Sequence, residues 1–274
     1  MVRRFGLLTL LILAACATTM WLIHSAAAAP RQTLTVFAGA AGKPALQQLA
    51  QRYRNRTGIQ VDITYGGSGA VLTQFAQEHY GDIYIPGSDD FMDKAEKKGA
   101  VLKGSRAVLV YLVPTICVPK GNPRQITKLQ DLAQPGLRVV IGRPEAVCLG
   151  DISKEMLEQT RLWDKVEPQI ASYASSCENV LQTLLLGEAD VVIGWDVFAR
   201  QHPDKVQSIA LPAKLARCRN IPAAVIKWSQ QPDAAKAFIR FLANAESKRV
   251  WAKHGYALQA PGATPAKRTS RGAG

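Results

Sequence analysis

Two glycine-rich loops, five cysteines and a group of carboxylates are the residues of this 274-residue chain whose types could do chemistry. Gly39-Ala40-Ala41-Gly42 and Gly66-Gly67-Ser68-Gly69 each follow a β-rich run and open a helical one. Loops so short of side chains let backbone N–H groups close on a ligand, and the dipole of the helix behind them favours negative charge. Ser68 adds a hydroxyl at a helix start, although glycine and serine there also serve as plain caps. Asp82, Asp89, Asp90 and Asp93 lie close in sequence, as a metal site would require, but the last three also suit the first turn of a helix. Cys117, Cys148, Cys177 and Cys218 are even in number, and Cys148 and Cys177 are open to two readings, as a disulfide or as reactive thiols. His24, His79, His202 and His254 are isolated from one another, and no CxxC spacing occurs, so nothing reads as a zinc site. Neither GxSxG nor GxxxxGK[ST] is present, and no nucleophile has a plausible histidine partner, so no catalytic residue is expected.

The elements that must position these loops alternate between strand and helix. Strands are expected at residues 33–37, 61–65 and 82–85, with helices at 44–57, after Gly69, and from Asp90 to Gly99. Leu46, Leu49, Ala50 and Tyr53 form the apolar face of the first helix, and Gly58 ends it. A long β-rich stretch over 107–118 breaks this rhythm, which resumes with a strand at 138–141, helices at 150–159 and 180–186, and a strand at 191–195. An extended run within 211–227 precedes one amphipathic helix over 233–254. The fold class implied is α/β: two lobes of mostly parallel sheet flanked by helices and joined by two crossing segments. Lobe one takes residues 30–114 and 211–259, lobe two residues 115–210, and the cleft between them is the natural ligand site.

The ends of the chain bear on its compartment. Arg3 and Arg4 precede an apolar run to Ile23 and small residues at 25–29, the order of a secretory signal cleaved near Ala28 or Ala29. Leu13-Ala14-Ala15-Cys16 also fits lipid attachment at Cys16, and the run is long enough for an uncleaved anchor. All three readings place the body outside the cytoplasm, where an even set of cysteines favours disulfides. Residues 260–274 lack any apolar period and read as a disordered basic tail. The net charge of +13 suits an anionic partner, but its spread along the chain, with no aromatic-interleaved patch, argues against nucleic acid.

Together these motifs carry a family resemblance. Thr35-Val36-Phe37-Ala38-Gly39-Ala40-Ala41, Gly66-Gly67-Ser68-Gly69, Gly81-Asp82-Ile83-Tyr84-Ile85, Pro119-Lys120-Gly121-Asn122-Pro123 and Gly142-Arg143-Pro144-Glu145 resemble the periplasmic molybdate- and tungstate-binding proteins of ABC transporters. So do the run 184–195 and the terminal helix to Gly255-Tyr256, and the similarity spans residues 33–258. The resemblance implies the type II periplasmic binding protein fold. It implies a monomeric, non-enzymatic carrier without a cofactor that closes on a tetrahedral oxyanion and delivers it to a membrane permease. It places the ligand contacts at Ala40, Ala41, Ser68 and Gly69 in lobe one, and at Leu149, Cys177 and Trp195 in lobe two. Ala41 stands where the family has a serine, Trp195 where it has a tyrosine, and Arg143 where it often has an acidic residue. In this frame the cysteines pair as Cys117–Cys218, on the crossing segments, and Cys148–Cys177, beside the ligand. Free thiols at the cleft would instead suit a soft metal or a thiophilic ligand.

Overall fold

The computed structural model describes residues 32–260. The expected export signal over residues 1–29, with Cys16, and the basic tail beyond Ala260 lie outside the described residues. Among the described residues no helix is long and apolar enough to cross a membrane.

The chain first lays down β1 (Thr33–Gly39), a 3-10 turn (Ala40–Gly42), α1 (Lys43–Thr57), β2 (Gln60–Gly66), α2 (Ser68–Glu78), β3 (Ile83–Ile85), α3 (Asp89–Lys97) and β4 (Ala107–Leu112). It continues with β5 (Pro114–Pro119), β6 (Val139–Gly142), α4 (Cys148–Gln159), α5 (Trp163–Val166), β7 (Ile170–Ala174), α6 (Cys177–Leu185), β8 (Val191–Trp195), α7 (Val197–Gln201) and β9 (Val206–Ile209). It ends with β10 (Arg219–Val225), α8 (Pro232–Ala243) and α9 (Ala245–Lys253). The strands form two five-stranded sheets, ordered β2-β1-β3-β10-β4 and β7-β6-β8-β5-β9. In the first, β1 pairs with β2 and β3 in parallel, whereas β10 runs antiparallel to β3 and β4. The second repeats the pattern, with β6 parallel to β7 and β8, and β5 antiparallel to β8 and β9. Each sheet is mostly parallel, as expected, but mixed: the one strand that arrives through a crossing, β10 in the first sheet and β5 in the second, runs against the other four.

Period-two alternation assigns the faces of the first sheet. Leu34, Val36 and Ala38 share a buried cluster with Leu46 and Leu49 of α1, Phe238 of α8 and Trp251 of α9. Phe37 turns the other way, into a second cluster with Val71, Leu72 and Phe75 of α2 and Met92 of α3. With helices on both faces, the C-terminal ends of β1, β2 and β3 are the open side, where the two glycine loops emerge.

Two expected elements are broken for local reasons. The stretch over 107–118 is two strands that separate at Val113 and join different sheets. Val113 donates its N–H to Asp196 Oδ1 (3.1 Å) and accepts from the Asp196 N–H (2.9 Å), which fixes the first crossing. The terminal helix splits at Asn244, whose extended backbone stops α8 and whose side chain accepts the Ser247 N–H (2.8 Å) to cap α9. The return from β9 to β10 is an irregular segment over residues 210–218.

The lobes face each other closed. Gly69 N–H donates to Ala146 O (2.9 Å), Lys43 Nζ pairs with Glu178 (2.7 Å), Lys94 with Asp151 (2.7 Å), and Arg219 with Glu155 (3.0 Å). Three of these are ion pairs with at least one partly exposed partner, each worth about 1 kcal/mol or less. The backbone contact is more demanding: a Cβ on Gly67 would strike Ala146 O, and one on Gly69 would strike Glu145 O.

Gly69→Ala is expected to leave α2 intact, since alanine favours helix, but to wedge the lobes apart. Small-angle scattering should show a more extended particle than the native protein, and ligand affinity should fall roughly 10-fold or more at an overpacking cost of about 1–3 kcal/mol. An unchanged scattering profile would show that this contact does not govern closure.

Asp190 supplies a pH test of the second sheet. It is 8% exposed and accepts from Arg138 Nη2 (2.8 Å), Arg138 N–H (3.0 Å) and Arg124 Nη2 (3.2 Å). The hydrogen-bonded Arg138 guanidinium holds its carboxyl down to about 2. An unfolded aspartate titrates near ~4, so the stabilisation is complete above that pH and lost as pH falls towards the folded value. Asp190→Asn should lower the melting temperature at neutral pH and flatten its decline between pH 4 and pH 2. A parallel decline in both proteins would remove Asp190 from the acid limb.

Candidate functional site

Four chain segments meet where the lobes close. The 3-10 turn after β1 buries Ala40 (6% exposed) and Ala41 (5%), and the Tyr256 hydroxyl donates to Ala41 O (2.6 Å) to hold the turn in place. Ser68 is the first residue of α2 and 1% exposed. Its Oγ accepts the Gly87 N–H (3.0 Å), its carbonyl accepts from Tyr84 Oη (2.9 Å), and the hydroxyl also faces the Cys148 thiol of the opposite lobe. A Cβ on Gly39 would lie 2.6 Å from Gly87 N and 2.7 Å from Ser68 Oγ. The loops after β1, β2 and β3 therefore touch only because Gly39 carries no side chain.

Lobe two contributes two helix starts. Cys148 is the first residue of α4, Cys177 the first of α6, and their sulfurs approach to 3.4 Å. Ser176 caps α6 by accepting the Asn179 N–H (3.1 Å). The Leu149 N–H faces both sulfurs, and the Cys177 N–H faces its own. The Cys148 hydrogen bond holds the Cys177 thiol below the ordinary cysteine value, helped by the Trp195 indole and these N–H groups, while giving that bond and burial push Cys148 up. Trp195 ends β8 with its side chain wholly buried; its indole lies by Cys177, yet Nε1 makes no regular hydrogen bond.

The structure thus brings together Ala41, Ser68, Gly69, Leu149, Cys177 and Trp195, with Ala40 beside them in the same turn. What converges is a set of donors: one hydroxyl, the N–H groups of two helix starts and one unpaired indole N–H, closed off from water. Such a set takes an acceptor-rich anion. Arg143 does not face it directly, since its guanidinium lies over the Tyr173 ring, 6.0 Å from the centroid. Sequence reasoning missed Gly87 and Tyr256. Gly87 carried a legible signal, a Gly-Ser pair straight after a strand, whereas Tyr256 is joined to Ala41 only by the fold.

Neither expected disulfide is present, and the four cysteines among the described residues are free. Cys117 and Cys218 do not meet. Cys117 sits in β5 with its thiol aimed at Trp195 O (3.8 Å) and pushed up to about 12 by burial, whereas Cys218 precedes β10 and turns to Arg219 O (3.7 Å). Cys148 and Cys177 do meet, but as neighbouring thiols at hydrogen-bonding separation. The aspartates disperse: Asp82 accepts the Thr35 N–H (2.9 Å), Asp90 pairs with Arg217 (2.9 Å) and Asp93 with Arg106 (2.6 Å). Among the described residues no three His, Cys, Asp or Glu side chains gather as a metal site.

Known proteins share this architecture. YvgL of Bacillus subtilis, named as an ABC transporter substrate-binding lipoprotein, is 27% identical over 257 residues, covering 93% of this chain and 96% of its own. The molybdate-binding protein ModA of Mycobacterium tuberculosis H37Rv is 27% identical over 237 residues, covering 85% and 88%. The structure of the sulfate-binding protein SubI, also from Mycobacterium tuberculosis H37Rv, superimposes with a TM-score of 0.69 at 21% identity, over 82% of this chain and 86% of that one. The profile of the bacterial extracellular solute-binding proteins matches residues 34–257, and the chain belongs to that family.

Proposed function

We propose that this solute-binding protein captures a small tetrahedral oxyanion, molybdate or tungstate, between its lobes and hands it to the membrane permease of an ABC transporter. The observation that carries the reading is the Trp195 indole N–H: wholly buried, without a hydrogen bond of its own, and set among helix starts that present N–H groups to the same place. Trp195 then does with nitrogen what a tyrosine hydroxyl does in the family. Ser68 and the turn at Ala40 and Ala41 form the lobe-one half of the shell, with Gly69 beside them giving its N–H to Ala146 O across the cleft, and Leu149, Cys177 and Trp195 form the other half. Ala41 brings no hydroxyl, so on that side only backbone remains.

Capture proceeds by closure. The open protein meets the anion at Ser68, drawn by the positive net charge. The lobes then turn about Val113 and residues 210–218, and the N–H groups of lobe two complete the shell as water leaves. Neutral donors suffice because a dehydrated anion accepts several charge-assisted bonds at once. No bond is made or broken in the ligand, so the protein acts as a carrier, not an enzyme. The work takes place outside the cytoplasm, by a monomer that is free in the periplasm or tethered through a lipid on Cys16.

Molybdate and sulfate are both tetrahedral dianions, and relatives named for each are similar to this chain. Calorimetric titration with molybdate, tungstate, sulfate and phosphate decides among them. Submicromolar binding of molybdate or tungstate, with sulfate and phosphate far weaker, is the expected result. Tight binding of sulfate or phosphate alone would reassign the ligand, and silence from all four would end the oxyanion reading.

Ser68→Ala and Trp195→Phe each delete one donor to a buried charge, worth about 1.5–3 kcal/mol. Each is expected to weaken the best anion roughly 10- to 100-fold and also to lower the melting temperature of the unliganded protein by a few degrees, since Ser68→Ala strands the Gly87 N–H and Trp195→Phe opens a small cavity. Native affinity in either variant would remove that residue from the shell.

A further inference from the structure

We propose that Cys148 and Cys177 form a dithiol site for a trivalent metalloid hydroxide of the arsenite class. The site shares the cleft of the oxyanion reading but not its ligand, so failure of molybdate to bind leaves it standing.

The spacing selects the ligand. The two sulfurs are 3.4 Å apart and unbridged. With a sulfur–element bond of about 2.3 Å, that span subtends about 95° at a bound atom, whereas a tetrahedral centre needs ~3.8 Å and a linear one ~4.6 Å. An angle near 95° is the pyramidal geometry of a trivalent metalloid with a lone pair. The surroundings agree: among the described residues no third His, Cys, Asp or Glu joins the pair to complete a zinc shell. A metalloid hydroxide brings its own third ligand, and the unpaired Trp195 indole N–H beside Cys177 is placed to donate to that hydroxyl. The Leu149 and Cys177 N–H groups at the two helix starts steady the sulfurs.

The step balances without an oxidant. Two As–S bonds form and two As–O bonds break in As(OH)3, each thiol hydrogen leaves with one hydroxide as water, and one As–OH remains. Sulfur and arsenic keep their oxidation states. Access comes from lobe opening. The sulfurs are sealed in the closed form, with Cys148 packed against Ser68 and Gly87 of the other lobe, so the motion that admits an anion also uncovers the thiols. Cys218 and Cys117 have no thiol neighbour and serve as internal controls.

The test titrates the full chain, kept reduced with a phosphine, with sodium arsenite, followed by calorimetry and native mass spectrometry. One arsenic per chain is expected, with one arsenic and one oxygen gained and one hydrogen lost. Cys148→Ser and Cys177→Ser should each weaken binding roughly 100-fold or more, the scale of a lost second attachment, and Cys218→Ser should not change it. Peptide mapping needs no variant: arsenite must shield Cys148 and Cys177, but not Cys218, from N-ethylmaleimide. Absence of an adduct, an adduct that survives in the Cys148→Ser/Cys177→Ser double variant, or a Cys148–Cys177 disulfide in the protein as recovered from its own compartment would each overturn the proposal.

Discussion

An N–H group sealed from water without an acceptor costs about 1–3 kcal/mol, and the interface between the lobes is built around that cost. The Trp195 indole is wholly buried and unpaired there, and the N–H groups of Leu149 and Cys177 have only weakly accepting sulfur to face. Without a ligand the closed form is short of acceptors; in the proposed capture, an anion would give these donors charge-assisted bonds. In that proposal binding and closure are one equilibrium, because the shell exists only when both lobes contribute. The rest of the fold serves that arrangement. Two sheets of matching strand order aim helix starts at one place, and glycines at 39, 67 and 69 let backbones approach where any Cβ would collide.

Closure is held by contacts that can be given up. Apart from the Gly69–Ala146 backbone bond, the polar links across the cleft are chiefly ion pairs, and Lys43 and Glu178 are each about one-third exposed in their side chains. Such pairs orient the lobes more than they stabilise them. The first crossing is short and well pinned, with one residue between β4 and β5 clasped by Asp196. The second is longer and irregular. In the proposed capture, a hinge with one fixed and one loose strand would turn the lobes while keeping the register that brings Ser68 opposite Cys148.

The two glycine loops were legible in the sequence because their signals are local. A glycine-rich turn between a strand and a helix marks backbone that must come close to something, and both such turns lie at the cleft. The strand at 191–195 and the α/β alternation were equally plain. What was hidden depended on long-range pairing. The break at Val113 is set by Asp196, 83 residues away, and the period of β4 and β5 runs through it unmarked. The one antiparallel strand of each sheet follows from the crossings, which no local pattern records. Asn244 did carry a cap signal, but the apolar period of α8 and α9 continues across it and masks the break. Cysteine number and compartment argued for two bridges, yet Cys117 and Cys218 point to different carbonyls, and Cys148 and Cys177 stop at contact distance. Proximity in a fold is a matter of ångströms that an even count does not resolve.

Tungsten scatters X-rays anomalously and can be located without bias, so crystals grown with tungstate give the most direct measurement. Capture at the paired helix starts requires a single strong anomalous peak within hydrogen-bonding reach, by way of tungstate oxygens, of Ser68 Oγ, the Leu149 and Cys177 N–H groups and Trp195 Nε1. A peak elsewhere on the molecule, or a closed cleft with no peak at saturating tungstate, would contradict it.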